Sequence, residues 1–208
     1  YIQGSGISID WFVDNFFLEN GTDKKAAFQR AEEMAKDIPP GSEKMLSIGL
    51  LGGSAIPFDS EIKGLFIGHT WNHGKGHFYH ALLEGFSYDL ALTLDSIKSQ
   101  YPGCMGKQIK LIGGGAKSSI WPQMLADVTG YEFAQLERED VALWGAAVLA
   151  AAGAGEVNDI PSLTKEHIDI KATFHPNEKK HYDYKSYIKL YDTFIKELHG
   201  LYMRLNRQ

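Results

Sequence analysis

Short apolar runs and longer segments with helical spacing alternate along the middle of this chain, and their order constrains the fold more than any other feature. Four runs have the length and bounding residues of strands, and three segments carry apolar residues three or four positions apart, as one helix face requires. The runs are residues 45–51, 64–70, 108–112 and 131–136, and the helical segments are residues 77–100, 119–129 and 141–152. The order strand–strand–helix–strand–helix–strand–helix predicts an α/β domain with helices packed on a mixed sheet.

The segments at either end of this region are predicted to be mostly helical. Residues 9–17 carry an aromatic-rich helical stripe, and Asp23 has the position of an N-cap for a helix over residues 24–37. Residues 153–177 look like a loop. The last helix, over residues 178–204, has nearly heptad-spaced apolar residues, which fit either a partner helix or packing inside the domain. Barely three heptads and few flanking charges favour packing inside the domain.

Length and composition narrow the class of protein. The chain has 208 residues, 44% of them hydrophobic and 23% charged, as expected for one globular domain that buries its own core. The net charge of −5 gives no broad attraction for nucleic acid or for an anionic membrane, so neither partner is expected. The single cysteine, Cys104, excludes an intramolecular disulfide and fits a reducing compartment. No apolar run approaches the ~20 residues of a membrane span, and we expect a cytoplasmic protein.

A glycine run after the third predicted strand is the strongest candidate for a binding site. Gly113, Gly114 and Gly115 lie between that strand and a helix whose first turn accommodates Pro122. Glycine lets the backbone take positive φ and approach a ligand closely, and the helix start offers free N–H groups and a positive dipole end. The spacing matches neither GxGxxG nor GxxxxGK[ST]. The run therefore indicates either a nucleotide site or only a tight strand-to-helix turn.

The sequence around these glycines resembles the adenosine motif of the FGGY carbohydrate kinases. Xylulokinases are similar almost residue for residue from Leu111 to Asp127. Further resemblance lies in a small-residue helix with Trp144 inserted, in the second family signature and in a tyrosine-rich C-terminal segment. These segments are residues 140–147, residues 64–68 with 77–85, and residues 174–190. Together the resemblance spans about residues 9–205.

This resemblance implies an actin-like ATPase fold of the ribonuclease H-like type, as one half of a two-domain sugar kinase. Residues 1–208 are then the C-terminal domain, a fragment without the N-terminal sugar-binding domain. In the family that upstream domain supplies the catalytic Asp, and the joining segment carries a Gly-Thr phosphate loop. No catalytic residue is therefore expected in this chain. The fragment alone is expected to be inactive, because half of a cleft cannot align two substrates.

The activity implied by the resemblance is ATP-dependent phosphorylation of a sugar, D-xylulose to D-xylulose 5-phosphate, with ATP/ADP and Mg²⁺ as cofactors. The implied partners are the sugar, ATP and the protein's own N-terminal domain, and a homodimer is an expectation from the family. A kinase of another ketose, polyol or sugar acid stays open. So do a non-catalytic nucleotide-binding module and a purely structural α/β domain.

Six positions of the glycine run and the helix entrance are assigned as nucleotide-binding residues by the resemblance. Three of them line the adenine and ribose, Gly113 sets the turn, and Ser119 stands where some members place an adenine-contacting Asn. The six are Gly113, Gly114, Gly115, Ala116, Ser118 and Ser119, and no residue is assigned to a metal. Many xylulokinases have Gly-Glu-Arg-Thr-Pro at residues 53–57, where this chain reads Gly-Ser-Ala-Ile-Pro. The missing Glu–Arg pair leaves the identity of the sugar open.

Other polar clusters have simpler structural interpretations. Four histidines near the start of the helical segment over residues 77–100 have a spacing that could hold zinc. They are His69, His73, His77 and His80. No cysteine or paired carboxylate completes such a site, so a polar helix entrance is favoured. Glu137, Glu139 and Asp140 are interpreted as a solvated turn in which Asp140 is an N-cap. Asp127 is interpreted as a surface carboxylate, and the Cys104 thiol as incidental.

Overall fold

The computed structural model describes residues 4–21, 23–55, 58–104 and 106–206. Over these residues the chain forms seven α-helices, seven strands and two 3-10 turns. The helices are α1 (Ser5–Phe16), α2 (Lys24–Ala35), α3 (Lys75–Gln100), α4 (Trp121–Thr129), α5 (Val141–Gly153), α6 (Ile160–His167) and α7 (Glu178–Leu205). The strands are β1 (Leu46–Ile48), β2 (Ser54–Ala55), β3 (Phe58–Asp59), β4 (Leu65–Ile67), β5 (Gln108–Leu111), β6 (Glu132–Leu136) and β7 (Ile170–Phe174).

The predicted mixed sheet is formed by the last three strands, in the order β5-β6-β7. β5 is parallel to β6, and β7 is antiparallel to β6. The connection from β5 to β6 passes through α4, as parallel neighbours require a long crossover. β1 pairs with β4, and β2 with β3, as separate antiparallel pairs rather than as members of the mixed sheet.

The long helix α3 is the centre of the packing. Every residue from Tyr79 to Tyr88 is buried, because α2, α4, α7 and β1 all pack against this helix. Two glycines allow the neighbouring backbones to come close. A Cβ on Gly76 would overlap the carbonyl oxygen of Met34 in α2, and a Cβ on Gly85 would overlap that of Ser47 in β1. α3 therefore lies closer to α2 and β1 than a residue with a side chain would allow.

A turn in the left-handed conformation leads from α2 into β1. Residues 42–44 have φ values between 45° and 75°, and each such residue with a Cβ costs about 1–2 kcal/mol. The buried carboxylate of Glu84 in α3 holds this turn. It accepts hydrogen bonds from the N–H of Gly41 and from the hydroxyl of Ser42, both at 2.7 Å. The Nδ1 atom of His80 lies 2.8 Å from the same hydroxyl.

The N-terminal part of α7 packs inside the domain, as the sequence favours. Tyr184 and Tyr191 are buried, and their rings meet the ring of Tyr88 in α3 at centroid distances of 6.0 and 5.8 Å. α7 also packs against α4. In the part of the chain that the structure describes, no helix combines the length and the apolarity needed to cross a membrane.

The C-terminal part of α7 contacts the last residue of β3 and the segment that follows it. The Nδ1 atom of His199 lies 2.7 Å from a carboxylate oxygen of Asp59, and the hydroxyl of Tyr202 donates to the carbonyl oxygen of Lys63 at 2.8 Å. Burial alone would raise the pKa of Asp59, but hydrogen bonds from the Glu61 amide and from His199 hold it below the usual value. The last helix thus connects α4 to a much earlier part of the chain.

The prediction of a loop over residues 153–177 is wrong, because this segment contains α6 and β7. Asp159 caps α6 by accepting the N–H of Ser162 at 3.0 Å, but none of the helix residues is buried, so no apolar stripe marks it in the sequence. In β7 only Ala172 and Phe174 are even partly buried. This strand forms because β6 offers a partner, which local pattern does not reveal.

Several helix ends agree with the sequence because they depend on local chemistry. The carboxylate of Asp23 accepts the N–H of Ala26 at 2.7 Å and caps α2. Gly130 has a φ of 74°, in the left-handed region, and ends α4. The predicted strand over residues 45–51 is shorter in the structure, since β1 ends at Ile48.

The substitution Gly85→Ala tests the close approach of α3 and β1. The added methyl group would meet the Ser47 carbonyl oxygen, so we expect the free energy of unfolding to fall by about 1–3 kcal/mol. The control is Gly200→Ala in α7, where nothing lies within 4 Å of the new Cβ. Helix propensity predicts a gain of about 0.5–1 kcal/mol there. Urea denaturation measures both values, and a stabilising Gly85→Ala would contradict the packing.

A second prediction concerns the partly buried Asp89 of α3, whose pKa is raised by burial from 3.8 to about 6. The folded state keeps this proton where the unfolded chain has released it, so stability falls as the pH rises between these two values. Asp89→Asn should therefore raise the free energy of unfolding by about 2 kcal/mol at pH 8 and change it little at pH 4. Thermal unfolding at both pH values measures this difference. The control is Asp95→Asn, at an exposed position of the same helix, which should show no such dependence.

Candidate functional site

The glycine run turns the chain sharply after β5. Gly113 has a φ of 87°, a conformation that favours glycine. The 3-10 turn Gly114–Lys117 follows and leads toward α4. At both Gly113 and Gly114, the position that a Cβ would occupy has no atom within 4 Å. The outer side of this run is therefore open backbone that a ligand can approach closely.

This open backbone lies at the carboxyl ends of two parallel strands. The glycine run leaves the end of β5, and the loop that leads to α5 leaves the adjacent end of β6. The ammonium of Lys117 and the carboxylate of Glu139 join the two loops at 2.6 Å, although their side chains are 61% and 68% exposed. The hydrogen bond and charge of Lys117 hold the pKa of Glu139 below its usual value. Ligands of open α/β sheets commonly bind outside such strand ends.

Gly115 and Ala116 serve the packing of the loop on the domain. A Cβ on Gly115 would stand 2.6 Å from the ring of Trp121. Ala116 is buried, and its carbonyl oxygen accepts a hydrogen bond from the Gln135 amide at 2.7 Å. The indole N–H of Trp121 donates to the hydroxyl of Ser87 at 3.0 Å. The assignment of Gly115 and Ala116 as nucleotide-lining residues stays a prediction.

The two serines of the predicted site have different partners. The hydroxyl of Ser118 accepts the N–H groups of Ile120 at 3.3 Å and of Trp121 at 3.1 Å. Ser119 donates both its N–H, at 3.1 Å, and its O–H, at 2.6 Å, to one carboxylate oxygen of Glu32 in α2. Ser118 therefore binds two N–H groups at the start of α4, while Ser119 connects the start of this helix to α2.

The expectation of free N–H groups at the start of α4 is limited by three N–H groups that already have side-chain partners. Glu32 already binds the N–H of Ser119, Ser118 already binds the next two, and Pro122 has none. The N–H groups of Ser119, Ile120 and Trp121 are therefore not open to an anion. The loop instead lets a ligand approach the backbone of Gly113 and Gly114 closely.

The same substitution should have different consequences for stability at two adjacent glycines of the run. Gly115→Ala brings a methyl group within 2.6 Å of the Trp121 ring, so we expect a loss of about 1–3 kcal/mol in the free energy of unfolding. Gly114→Ala fills only open space and should change it by less than about 0.5 kcal/mol. Chemical denaturation of the two variants measures the difference. Equal losses would show that the outer side of the run is packed rather than open.

The histidines shape the entrance of α3, as the sequence favours. The Nδ1 atom of His73 accepts the N–H of Thr70 at 2.8 Å, and that of His77 accepts the N–H of Gly74 at 3.2 Å. Their rings meet edge to face at 5.2 Å. Across residues 4–21, 23–55, 58–104 and 106–206, no group of three or more His, Cys, Asp or Glu side chains is placed to hold a metal ion.

Two carboxylates differ from their predicted surroundings. Asp127 is only 2% exposed, so its interpretation as a surface carboxylate is wrong. It accepts hydrogen bonds from the Gln123 amide at 2.8 Å and from the N–H of Asn177 at 2.9 Å, and so ties α4 to the start of α7. Asp140 stands at the N-cap position of α5, but its carboxylate pairs with Arg138 at 3.2 Å instead of capping the helix.

Sequence reasoning missed Glu32, a charged residue that hydrogen-bonds Ser119 directly. The two residues are 87 positions apart, and no local pattern links them.

The segment over residues 53–57, which departs from the family pattern, is described only in part, because Ile56 and Pro57 lie outside the described residues. Ser54 of the same segment is buried in β2. Cys104 is exposed.

The model of the FGGY family of carbohydrate kinases, C-terminal domain, matches residues 2–154. The chain belongs to this family. A xylulose kinase of Staphylococcus epidermidis is 33% identical over 195 residues, which make up 93% of this chain and 38% of that protein. The FGGY chain described here therefore spans less than two-fifths of the length of that curated relative.

Solved structures confirm the fold class of this FGGY domain. A xylulose kinase from Rhodospirillum rubrum matches with a TM-score of 0.80 and 22% identity, over 95% of this chain and 39% of that one. The Plasmodium falciparum glycerol kinase with ADP matches with a TM-score of 0.69 and 22% identity, over 88% of this chain and 35% of that one. The chain is thus a mixed α/β domain that matches the C-terminal half of FGGY sugar kinases, an actin-like ATPase fold.

Proposed function

We propose that this chain is the nucleotide-binding half of a longer kinase that uses ATP to phosphorylate D-xylulose to D-xylulose 5-phosphate. The observation that carries the proposal is the open backbone at Gly113 and Gly114, at the carboxyl ends of the parallel strands β5 and β6. Family membership supports phosphoryl transfer to a sugar. The relative at 33% identity, a xylulose kinase, supports the choice of sugar.

The six predicted residues surround the adenosine part of the nucleotide in this proposal. The open backbone approaches the flat base and the ribose, while the packed residues of the run fix its shape. The six are Gly113, Gly114, Gly115, Ala116, Ser118 and Ser119. Mg²⁺ enters with the phosphates of ATP, because this ion keeps most of its water and takes few protein ligands.

The rest of the reaction belongs to a part of the protein that this chain does not span. A sugar hydroxyl oxygen attacks the γ-phosphorus, the bond to the β-phosphate oxygen breaks, and ADP leaves. An Asp of the N-terminal domain takes the hydroxyl proton, and a Gly-Thr loop holds the phosphates. This chain alone therefore binds nucleotide without transferring phosphate.

The exposed apolar surface of α5 supports the proposal that this chain contacts a partner domain. This helix has no charged residue, yet only Val148 of its side chains is buried, while Leu143 and Leu149 are 75% and 65% exposed. A contiguous apolar surface of this kind marks an interaction site. The protein's own N-terminal domain is the partner proposed here, and a second copy of the chain is the alternative.

Two alternatives concern the substrate and the chemistry. A kinase of another ketose, a polyol or a sugar acid fits the same domain, and a glycerol kinase is among the structures of similar fold. A nucleotide-binding module without catalysis also fits. A phosphorylation assay of the longer protein with D-xylulose, glycerol and gluconate separates these alternatives, because the non-catalytic module phosphorylates none of them.

Calorimetric titration of this chain with ADP, and with ATP plus Mg²⁺, tests the nucleotide site. We expect weak binding, near a Kd of about 1 mM, because the phosphates lack their second set of contacts. Gly114→Val should abolish the heat, since the branched side chain fills the open space of the ligand. The control is Gly52→Val, whose Cβ also meets nothing within 4 Å but lies outside the glycine run.

The two variants separate the possible results. Loss of binding in Gly114→Val alone supports the assigned site. Equal binding in Gly114→Val and in the native chain would place the nucleotide elsewhere. An absence of heat with the native chain at millimolar ligand would overturn nucleotide binding by this half.

A further inference from the structure

The turn that joins α2 to β1 stores backbone strain in three successive residues. Gly41 has a φ of 82°, and Ser42, Glu43 and Lys44 follow with φ values of 45°, 53° and 75°. Glycine adopts this left-handed region freely, but each of the other three residues has a Cβ that meets the backbone there. Such a run persists only where neighbouring groups hold it.

A chain of three buried side chains holds this turn, and its hydrogen bonds run in one direction. The hydroxyl of Ser42 donates to Glu84 at 2.7 Å, and the Nδ1 atom of His80 lies 2.8 Å from the same hydroxyl. A serine hydroxyl has one proton, and here the carboxylate accepts it. His80 must therefore carry a proton on Nδ1 and donate it to Ser42. The other oxygen of Glu84 accepts the N–H of Gly41 at 2.7 Å.

The same turn sets the position of β1 on α3. β1 and β4 form a separate two-stranded pair, so β1 is placed by its contacts with helices and with the turn. A Cβ on Gly85 of α3 would overlap the carbonyl oxygen of Ser47 in β1, and a Cβ on Gly68 would overlap that of Lys44. The turn, the strand pair and the residue after β4 therefore fit the domain as one unit.

This close fit has a cost besides the backbone strain. Within the described residues, the buried hydroxyl of Ser47 has no hydrogen-bond partner, and an unsatisfied buried hydroxyl is destabilising. A state in which β1 leaves α3 would give this hydroxyl to water and would relax the left-handed turn. The hydrogen bonds to Glu84 oppose both of these gains.

From these opposing effects we propose that the turn over residues 41–44 is a hinge under strain, which the chain from His80 through Ser42 to Glu84 keeps closed. When the hinge opens, the turn relaxes, and β1 and β4 leave α3 together while the helices stay packed. The inference is independent of the proposed nucleotide site, because it uses none of the six residues of that site.

Hydrogen exchange measured by mass spectrometry tests the hinge, because it reports the opening of β1 separately from that of α3. Glu84→Gln keeps the size of the side chain, but its amide nitrogen cannot accept a hydrogen bond from the turn. We expect the β1 amides to exchange at least about tenfold faster, the effect of losing one hydrogen bond to a charged group, while amides in the middle of α3 keep their rates. The control is Asp127→Asn, a second buried carboxylate with two hydrogen bonds, in α4. It should not accelerate β1 relative to α3.

A second pair of variants changes the strain and leaves the three-residue chain intact. Glu43→Gly removes a Cβ that the left-handed conformation disfavours, so the closed state gains, and the β1 amides should exchange at least about threefold more slowly. Glu43→Ala removes the same exposed carboxylate and its contact with His77 but keeps the Cβ, and should not slow the exchange.

The outcomes are separable. Equal acceleration of β1 and α3 in Glu84→Gln would show that this carboxylate serves only global stability, and the hinge would be overturned. Equal exchange in Glu43→Gly and Glu43→Ala would overturn it as well, and this pair decides the question if Glu84→Gln does not fold. NMR of the His80 ring should find the proton on Nδ1. A bare Nδ1 would mean that Ser42 donates to His80 instead of Glu84, and would overturn the chain that closes the hinge.

Discussion

The placement of β1 against α3 depends on the carboxylate of Glu84. This group is 1% exposed, and both of its oxygens are used by the turn that precedes β1. A buried carboxylate is costly unless hydrogen bonds replace its water, and here the N–H of Gly41 and the hydroxyl of Ser42 do so. In return, the carboxylate holds three successive residues in a conformation that they would not keep alone. Turn and carboxylate therefore stabilise each other, and together they fix where β1 begins relative to α3.

The parts of the fold that the sequence predicts are those defined by local chemistry. Asp23 caps α2, Gly130 ends α4, and the glycine run sits between a strand and a helix as its composition indicates. The parts that it does not predict depend on distant partners. β7 needs β6 beside it, and the contact of Ser119 with Glu32 joins residues 87 positions apart. The left-handed turn has no sequence signal either, because none of Ser, Glu and Lys favours that conformation.

The two sides of the glycine run have different roles. Toward the domain, Gly115 makes room for Trp121, and Ala116 is bound by Gln135. Away from the domain, the backbone of the first two glycines is bare. At the entrance of α4, the N–H groups of Ser119, Ile120 and Trp121 already have side-chain partners and are not open to an anion. In the proposed site, this arrangement fits contact with the uncharged end of a nucleotide better than contact with its phosphates.

The contacts at the end of α7 affect the order in which the domain can be completed during synthesis. His199 and Tyr202 bind residues that precede them by 140 and 139 positions, Asp59 and Lys63. Such distant pairs pay a large loop-closure entropy, and they form late. The segment from Asp59 to Lys63 therefore leaves the ribosome long before its partners exist. These two contacts form only after Tyr202 has been released, so a product truncated before His199 would expose this segment to wrong associations.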